Sequence, residues 1–122
     1  MALQKSYNKI ENDLWPAYRD RLNKAESTED VKKFFVYTAV ELLQRILQDD
    51  DVRVQNEDIQ LEPESKPQYG LSSRLLEEGR FEEIMTKSDL DDILDRLARA
   101  AAKRYHRLGR NPDKDRARIF TR

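Results

Sequence analysis

The stretch from Ser27 to Leu47 constrains this chain more than any other. Ser27-Thr28-Glu29-Asp30 reads as a helix start: the Ser27 hydroxyl can accept from the amide three residues on, and acids in the first turn suit the positive end of the helix dipole. The helix that follows carries Val31, Phe34, Phe35, Val36, Tyr37, Val40, Leu42, Leu43, Ile46 and Leu47. So wide an apolar arc cannot be covered by one neighbour. The pattern therefore predicts a central helix over 29–48 with packing partners on several sides. Any part of the arc left bare becomes a surface for a second copy or another protein.

Two other segments can supply that packing. Near the start, Leu3, Tyr7, Ile10, Leu14, Tyr18 and Leu22 fall in steps of three and four, which places them on one helix face. Pro16 interrupts this segment and predicts a break or kink, with Trp15 packed at the joint as a core anchor. Further on, Ser88-Asp89-Leu90-Asp91 repeats the capping signal. It opens a helix with Leu90, Ile93, Leu94, Leu97, Ala101, Tyr105 and Leu108 on one face, ending at Gly109 with Pro112 beyond. Between the two, Leu71, Leu75 and Leu76 mark a short helix stopped by Gly79 as a left-handed cap, and Phe81, Ile84 and Met85 mark a further turn or two.

Residues 48–70 have another character. Asp49, Asp50, Asp51, Glu57, Asp58, Glu62 and Glu64 face only Arg53 and Lys66 in charge, helical spacing disappears, and Pro63, Pro67 and Gly70 enter. Val52-Arg53-Val54 and Ile59-Gln60-Leu61 each alternate around the turn-like Gln55-Asn56-Glu57-Asp58. The stretch reads either as a small β-hairpin near residues 51–61 laid on the helices or as an acidic extended loop. Leu, Ile, Val and Phe make up 29 of the 122 residues and the net charge is −1, enough apolar content and little enough repulsion for a modest folded core. The expected fold is all-α: a small orthogonal or bundle-like array of four to six helices. A single helical domain spans 1–109, with the acidic irregular segment 48–70 inside it and a basic tail over 110–122.

Several chemistries are excluded or disfavoured. Without cysteine there is no disulfide, thiolate nucleophile or Cys-ligated metal, and His106 alone cannot make a His-only metal site within one chain. The three glycines are isolated, so no phosphate-cradling loop is present, and no Gly-x-Ser-x-Gly elbow occurs. His106, between Tyr105 and Arg107, reads as a surface residue. Glu78 with Glu82, Asp91 with Asp95 and Asp92 with Asp95 have the spacing to hold Mg²⁺ between facing helices, and superficially resemble the acidic pairs of all-α nucleotide pyrophosphatases. Such spacing arises on almost any charged helix. The expectation is no catalytic residue, no cofactor and no metal. Glu41, Gln44 and Arg45 interrupt the apolar run Phe34–Leu47, which falls short of a membrane span, and MALQKSYNK has no secretory pattern. A cytoplasmic protein without membrane contact is expected.

Near-neutrality conceals a split. Residues 1–95 hold 13 Lys and Arg against 22 Asp and Glu, whereas residues 96–122 hold 10 against 2. Arg96, Arg99, Lys103 and Arg107 recur at three and four to form a stripe, Arg104 lies beside it, and Arg110, Arg116 and Arg118 continue the charge along the tail. A helix dipole also favours this order, because Asp89, Asp91, Asp92 and Asp95 open the same helix that the bases close. The preferred reading is a non-enzymatic protein–protein interaction module, a small adaptor or accessory subunit. Its basic helix and tail, its acidic mid-chain segment, or both would meet a protein partner or a second copy, a homodimer being the natural extension. Second comes a nucleic-acid-binding accessory protein using the same eight residues, disfavoured by the net charge. Third is a metal-dependent hydrolase with the paired carboxylates.

One short likeness stands apart. Ala102-Lys103-Arg104-Tyr105-His106-Arg107 leading to Asn111-Pro112-Asp113-Lys114 resembles the end of the second helix and the loop of a J-domain. That family's loop triad begins with histidine where this chain has Asn111, and too little chain follows Asp113 for a full third helix. The likeness carries no chaperone role to this chain.

Overall fold

A computed structural model describes residues 6–110, with Arg110 as backbone only. Leu3, the tail from Asn111 onward with Arg116 and Arg118, and the loop that resembles a J-domain lie outside the described residues. The architecture is all-α with one short hairpin. Its helices are α1 (Asn8–Lys24), α2 (Thr28–Leu47), α3 (Ser73–Leu76), α4 (Gly79–Lys87) and α5 (Leu90–Arg110), and its strands β1 (Ile59–Leu61) and β2 (Tyr69–Leu71).

Helix α2 is the central element, as its apolar arc requires. The Ser27 hydroxyl accepts from the Asp30 amide at 3.1 Å, and the Asp30 carboxylate accepts from the Glu26 amide at 3.0 Å, so the start is capped from both sides. Val31, Phe35, Ala39, Leu42, Leu43 and Leu47 are fully buried against α1, α5 and β1. The opposite side stays barer: Tyr37 is 46% exposed, with Phe34, Val36 and Val40 half-buried around it.

Helix α1 runs through Pro16 without a break. Proline removes one donor and crowds the carbonyl four residues earlier. Here Asn12 and Pro16 are both exposed, so the orphaned carbonyl lies on the solvent side, while Leu14, Tyr18 and Leu22 fix the helix to the core. Tertiary packing outweighs the local penalty.

The hairpin forms with a different partner from the one its alternation suggests. Ile59–Leu61 is a strand, but it pairs antiparallel with Tyr69–Leu71, in the register Ile59↔Leu71, Gln60↔Gly70 and Leu61↔Tyr69. Val52 and Val54 are buried and Arg53 exposed, so their alternation is real. Their backbone is held by a side chain instead: the Gln44 amide donates to the Val52 carbonyl at 3.0 Å and accepts from the Val54 amide at 2.9 Å. Asp51, with φ of 56°, makes the left-handed turn that brings the chain back under Gln44.

Two glycines also differ from expectation. Gly79 is the first residue of α4, not a left-handed cap on the preceding helix, and no glycine among the described residues has positive φ. Gly109 lies inside α5, which continues to Arg110. Helix α3 is opened by the Ser72 hydroxyl, which accepts from the Leu75 amide at 3.1 Å. Ser88 caps α5, accepting from the Leu90 amide at 3.1 Å, and Asp89 reaches back to accept from the Tyr7 amide and the Ser6 hydroxyl, both at 2.9 Å. Ser6 and Tyr7 are thereby fastened to the start of α5.

Candidate functional site

From Arg96 onward α5 lies beside α1, and three contacts fix how they meet. The buried Tyr18 hydroxyl donates to the Leu97 carbonyl at 2.7 Å, and burial pushes that phenol's pKa well above its ordinary 10. Glu11, 4% exposed, accepts a two-pronged contact from Arg96: Nε to Oε2 at 2.9 Å and Nη2 to Oε1 at 2.8 Å. The Trp15 indole also donates to Oε2 of Glu11 at 2.9 Å. The Arg96 hydrogen bond is the main reason the Glu11 carboxyl sits below its ordinary 4.5, against the opposing push of burial. Lastly, Arg104 donates to the Asn23 carbonyl at 3.2 Å and the Ala25 carbonyl at 3.0 Å. A guanidinium there satisfies carbonyls that the end of α1 leaves over and faces the negative end of its dipole.

These contacts redistribute the basic stripe. Arg96 is committed to Glu11 and Arg104 to the end of α1. Arg99 pairs with Asp95 on its own helix and borders the loop 63–68, away from α1. Lys103 and Arg107 line a groove between α1 and α5 of about 300 Å³. Trp15, Arg19, Leu22 and Asn23 of α1 and Ala100 and Arg104 of α5 complete its lining. The Arg19 guanidinium lies 5.3 Å from the Trp15 ring centroid, and the Trp15 and Tyr18 rings are tilted at 5.4 Å. Among the described residues no carboxylate lines this groove. Exposed Lys103 has no acidic partner there.

Trp15 and Arg19 are the site residues that sequence reasoning missed. Trp15 does touch the core, but it is half-buried and its ring forms a wall of the groove. Arg19, four residues on, is on the same helix face, the spacing at which a cation and a ring meet. His106 is directed elsewhere, its Nδ1 3.6 Å from a Glu64 carboxylate oxygen and its ring edge-on to Tyr105. Of the acids once paired for Mg²⁺, Asp95 is taken by Arg99 and Asp91 accepts from the Tyr69 hydroxyl at 2.6 Å. Among the described residues no three metal-ligating side chains converge, and no helix is long and apolar enough to cross a membrane. Compared with protein-family models, curated proteins and solved structures, the chain matches none.

Proposed function

We propose that this protein is a non-enzymatic docking module whose α1/α5 groove receives an acidic segment of a partner protein. The observation that carries the reading is the grouping of Arg19, Lys103 and the half-buried Trp15 ring with apolar Leu22 and Ala100, in a lining without carboxylates among the described residues. An acidic peptide with interspersed apolar side chains matches that surface in charge and in its apolar lining. Nucleic acid fits less well. Its affinity grows with the number of phosphates neutralised, and here Arg96 is spent on Glu11, Arg104 on carbonyls and Arg99 on Asp95, which leaves a short basic track among the described residues.

The single tryptophan makes the test direct. A Glu- and Leu-containing peptide titrated into the protein at low salt should change Trp15 fluorescence, with affinity falling as salt is added. Arg19→Glu with Lys103→Glu should weaken binding about tenfold or more, two reversed rim charges having that combined effect. An unchanged emission would defeat the docking reading. Tighter binding of a duplex or single-stranded oligonucleotide, lost in the same variant, would transfer the groove to nucleic acid.

A further inference from the structure

The outward side of α2 carries an ordered charge pattern that neither the core nor the groove uses. Glu29, Lys33, Tyr37, Glu41 and Arg45 are all exposed and follow one another at four-residue steps, so they form a single ridge. In order along the ridge the charges run negative, positive, tyrosine, negative, positive. Reversed, the same ridge runs positive, negative, tyrosine, positive, negative. The ridge is therefore the complement of its own antiparallel copy. The apolar flanks share this symmetry: half-buried Phe34 and Val40 stand three residues to either side of Tyr37.

We propose that α2 pairs with α2 of a second copy, antiparallel, with Tyr37 on the twofold axis. In that register Lys33 faces the partner's Glu41, Glu29 faces the partner's Arg45, and Phe34 packs beside the partner's Val40. Each contact occurs twice, as an isologous interface requires. Within one copy, Glu41 and Arg45 already pair at 2.7 Å, which accounts for those two charges. It does not account for a tyrosine 46% exposed at the centre of the ridge, nor for the match across it. The other large exposed apolar side chain among the described residues, Leu76 at 50%, has no such setting: Ser73, Arg74 and Glu77 near it in sequence are exposed, Glu78 is half-buried and Leu75 is buried. Two crossing helices bury less than about 1,200 Å², the range of weak and transient pairs, so the dimer is in fast exchange with monomer.

Sedimentation equilibrium on the full chain, up to about 1 mM protein where interfaces of this size are populated, tests the pairing. Concentration-dependent dimerisation is expected, weakened about tenfold by Tyr37→Ala and reduced by added salt. The register has its own signature. Lys33→Glu alone places like charges together twice in the homodimer, and so does Glu41→Lys; an equimolar mixture of the two variants restores both pairs. Neither variant should self-associate, and the mixture should form a heterodimer, which also shows that both variants are folded. A monomer at every concentration would overturn the proposal. So would a dimer indifferent to Tyr37→Ala, or variants that associate no better mixed than alone.

Discussion

The basic half of α5 and the acidic segment 48–70 look, in sequence, like the two halves of one electrostatic contact. Folded, the described residues of the two hardly meet within the chain. Their meeting points are His106 beside Glu64 and Arg99 bordering the loop 63–68. Each region instead spends its charge on building itself. In the acidic segment Asp58 is buried and gathers hydrogen bonds from the Gln55 amide at 2.8 Å, the Ser72 hydroxyl at 2.6 Å and the Arg74 guanidinium, while Asp50 pairs with Arg80 at 3.1 Å. In the basic half Arg96 and Arg104 do the equivalent work against α1. The two hubs share a design, a buried carboxylate held by a half-exposed arginine. They differ in what they organise: Asp58 ties a turn, a strand end and a helix start together, whereas Glu11 ties two helices that the Tyr18 and Arg104 contacts also join.

That difference sets the order of effects on stability. Asp58→Ala should be the most damaging, by about 3 kcal/mol, because several bonds of roughly 1 kcal/mol each disappear together and the Gln55 and Ser72 donors lose their acceptor. Ser72 opens α3, so the loss should also loosen the hairpin and α3 ahead of the helical body, visible as faster amide exchange over residues 55–76. Uniform protection after this change would show that the hairpin does not depend on Asp58. Arg96→Ala should cost less, about 2 kcal/mol: it strands a buried carboxylate, but Arg96 itself is 44% exposed and water can enter. Arg96→Lys should recover part of that loss, since lysine keeps the charge and forfeits the two-pronged geometry. A larger cost for Arg96→Ala than for Asp58→Ala, measured by chemical unfolding, would invert the comparison.

What could be seen in the sequence follows the range of the forces involved. Helices α2 and α5 announced themselves through capping residues and periodicity, and α2 falls within a residue of 29–48 at either end, because caps and helical faces are local signals. The Pro16 break failed because its penalty is local and what offsets it, the burial of Leu14, Tyr18 and Leu22, is not. The wrong strand partner has the same origin. Val52 and Val54 alternate as a strand should, yet Gln44, on another element, had already claimed their backbone. At the site, spacing placed Arg96, Lys103, Arg104 and Arg107 on the correct helix. It could not show that Arg96 is absorbed by Glu11 and that Arg104 is tied to the end of α1 while still lining the groove with Lys103, since that depends on where α1 lies. The same gap hid Trp15 and Arg19.

Acid should erase the contrast between the hubs by degrees, and this is the smallest expected effect. Both carboxyls are held below their ordinary values of 3.8 and 4.5. For Asp58, burial pushes upward and is outweighed by the hydrogen bonds from Arg74, Ser72 and the Gln55 amide. For Glu11 the Arg96 bond dominates. Below those ordinary values the unfolded chain binds protons that the folded chain resists, so both contributions are complete above them and are lost as pH falls through the lower folded values. Removing Arg96 reverses the sign at one hub only. Glu11 would then be buried without its cation, its pKa would rise, and protonating it would relieve the folded state. The stability gap between the wild type and Arg96→Ala should therefore narrow on acidification from neutral to about pH 3, which urea unfolding at a series of pH values can follow. A gap of constant width would mean that Arg96 stabilises α1 through its aliphatic packing, with its charge on Glu11 contributing little.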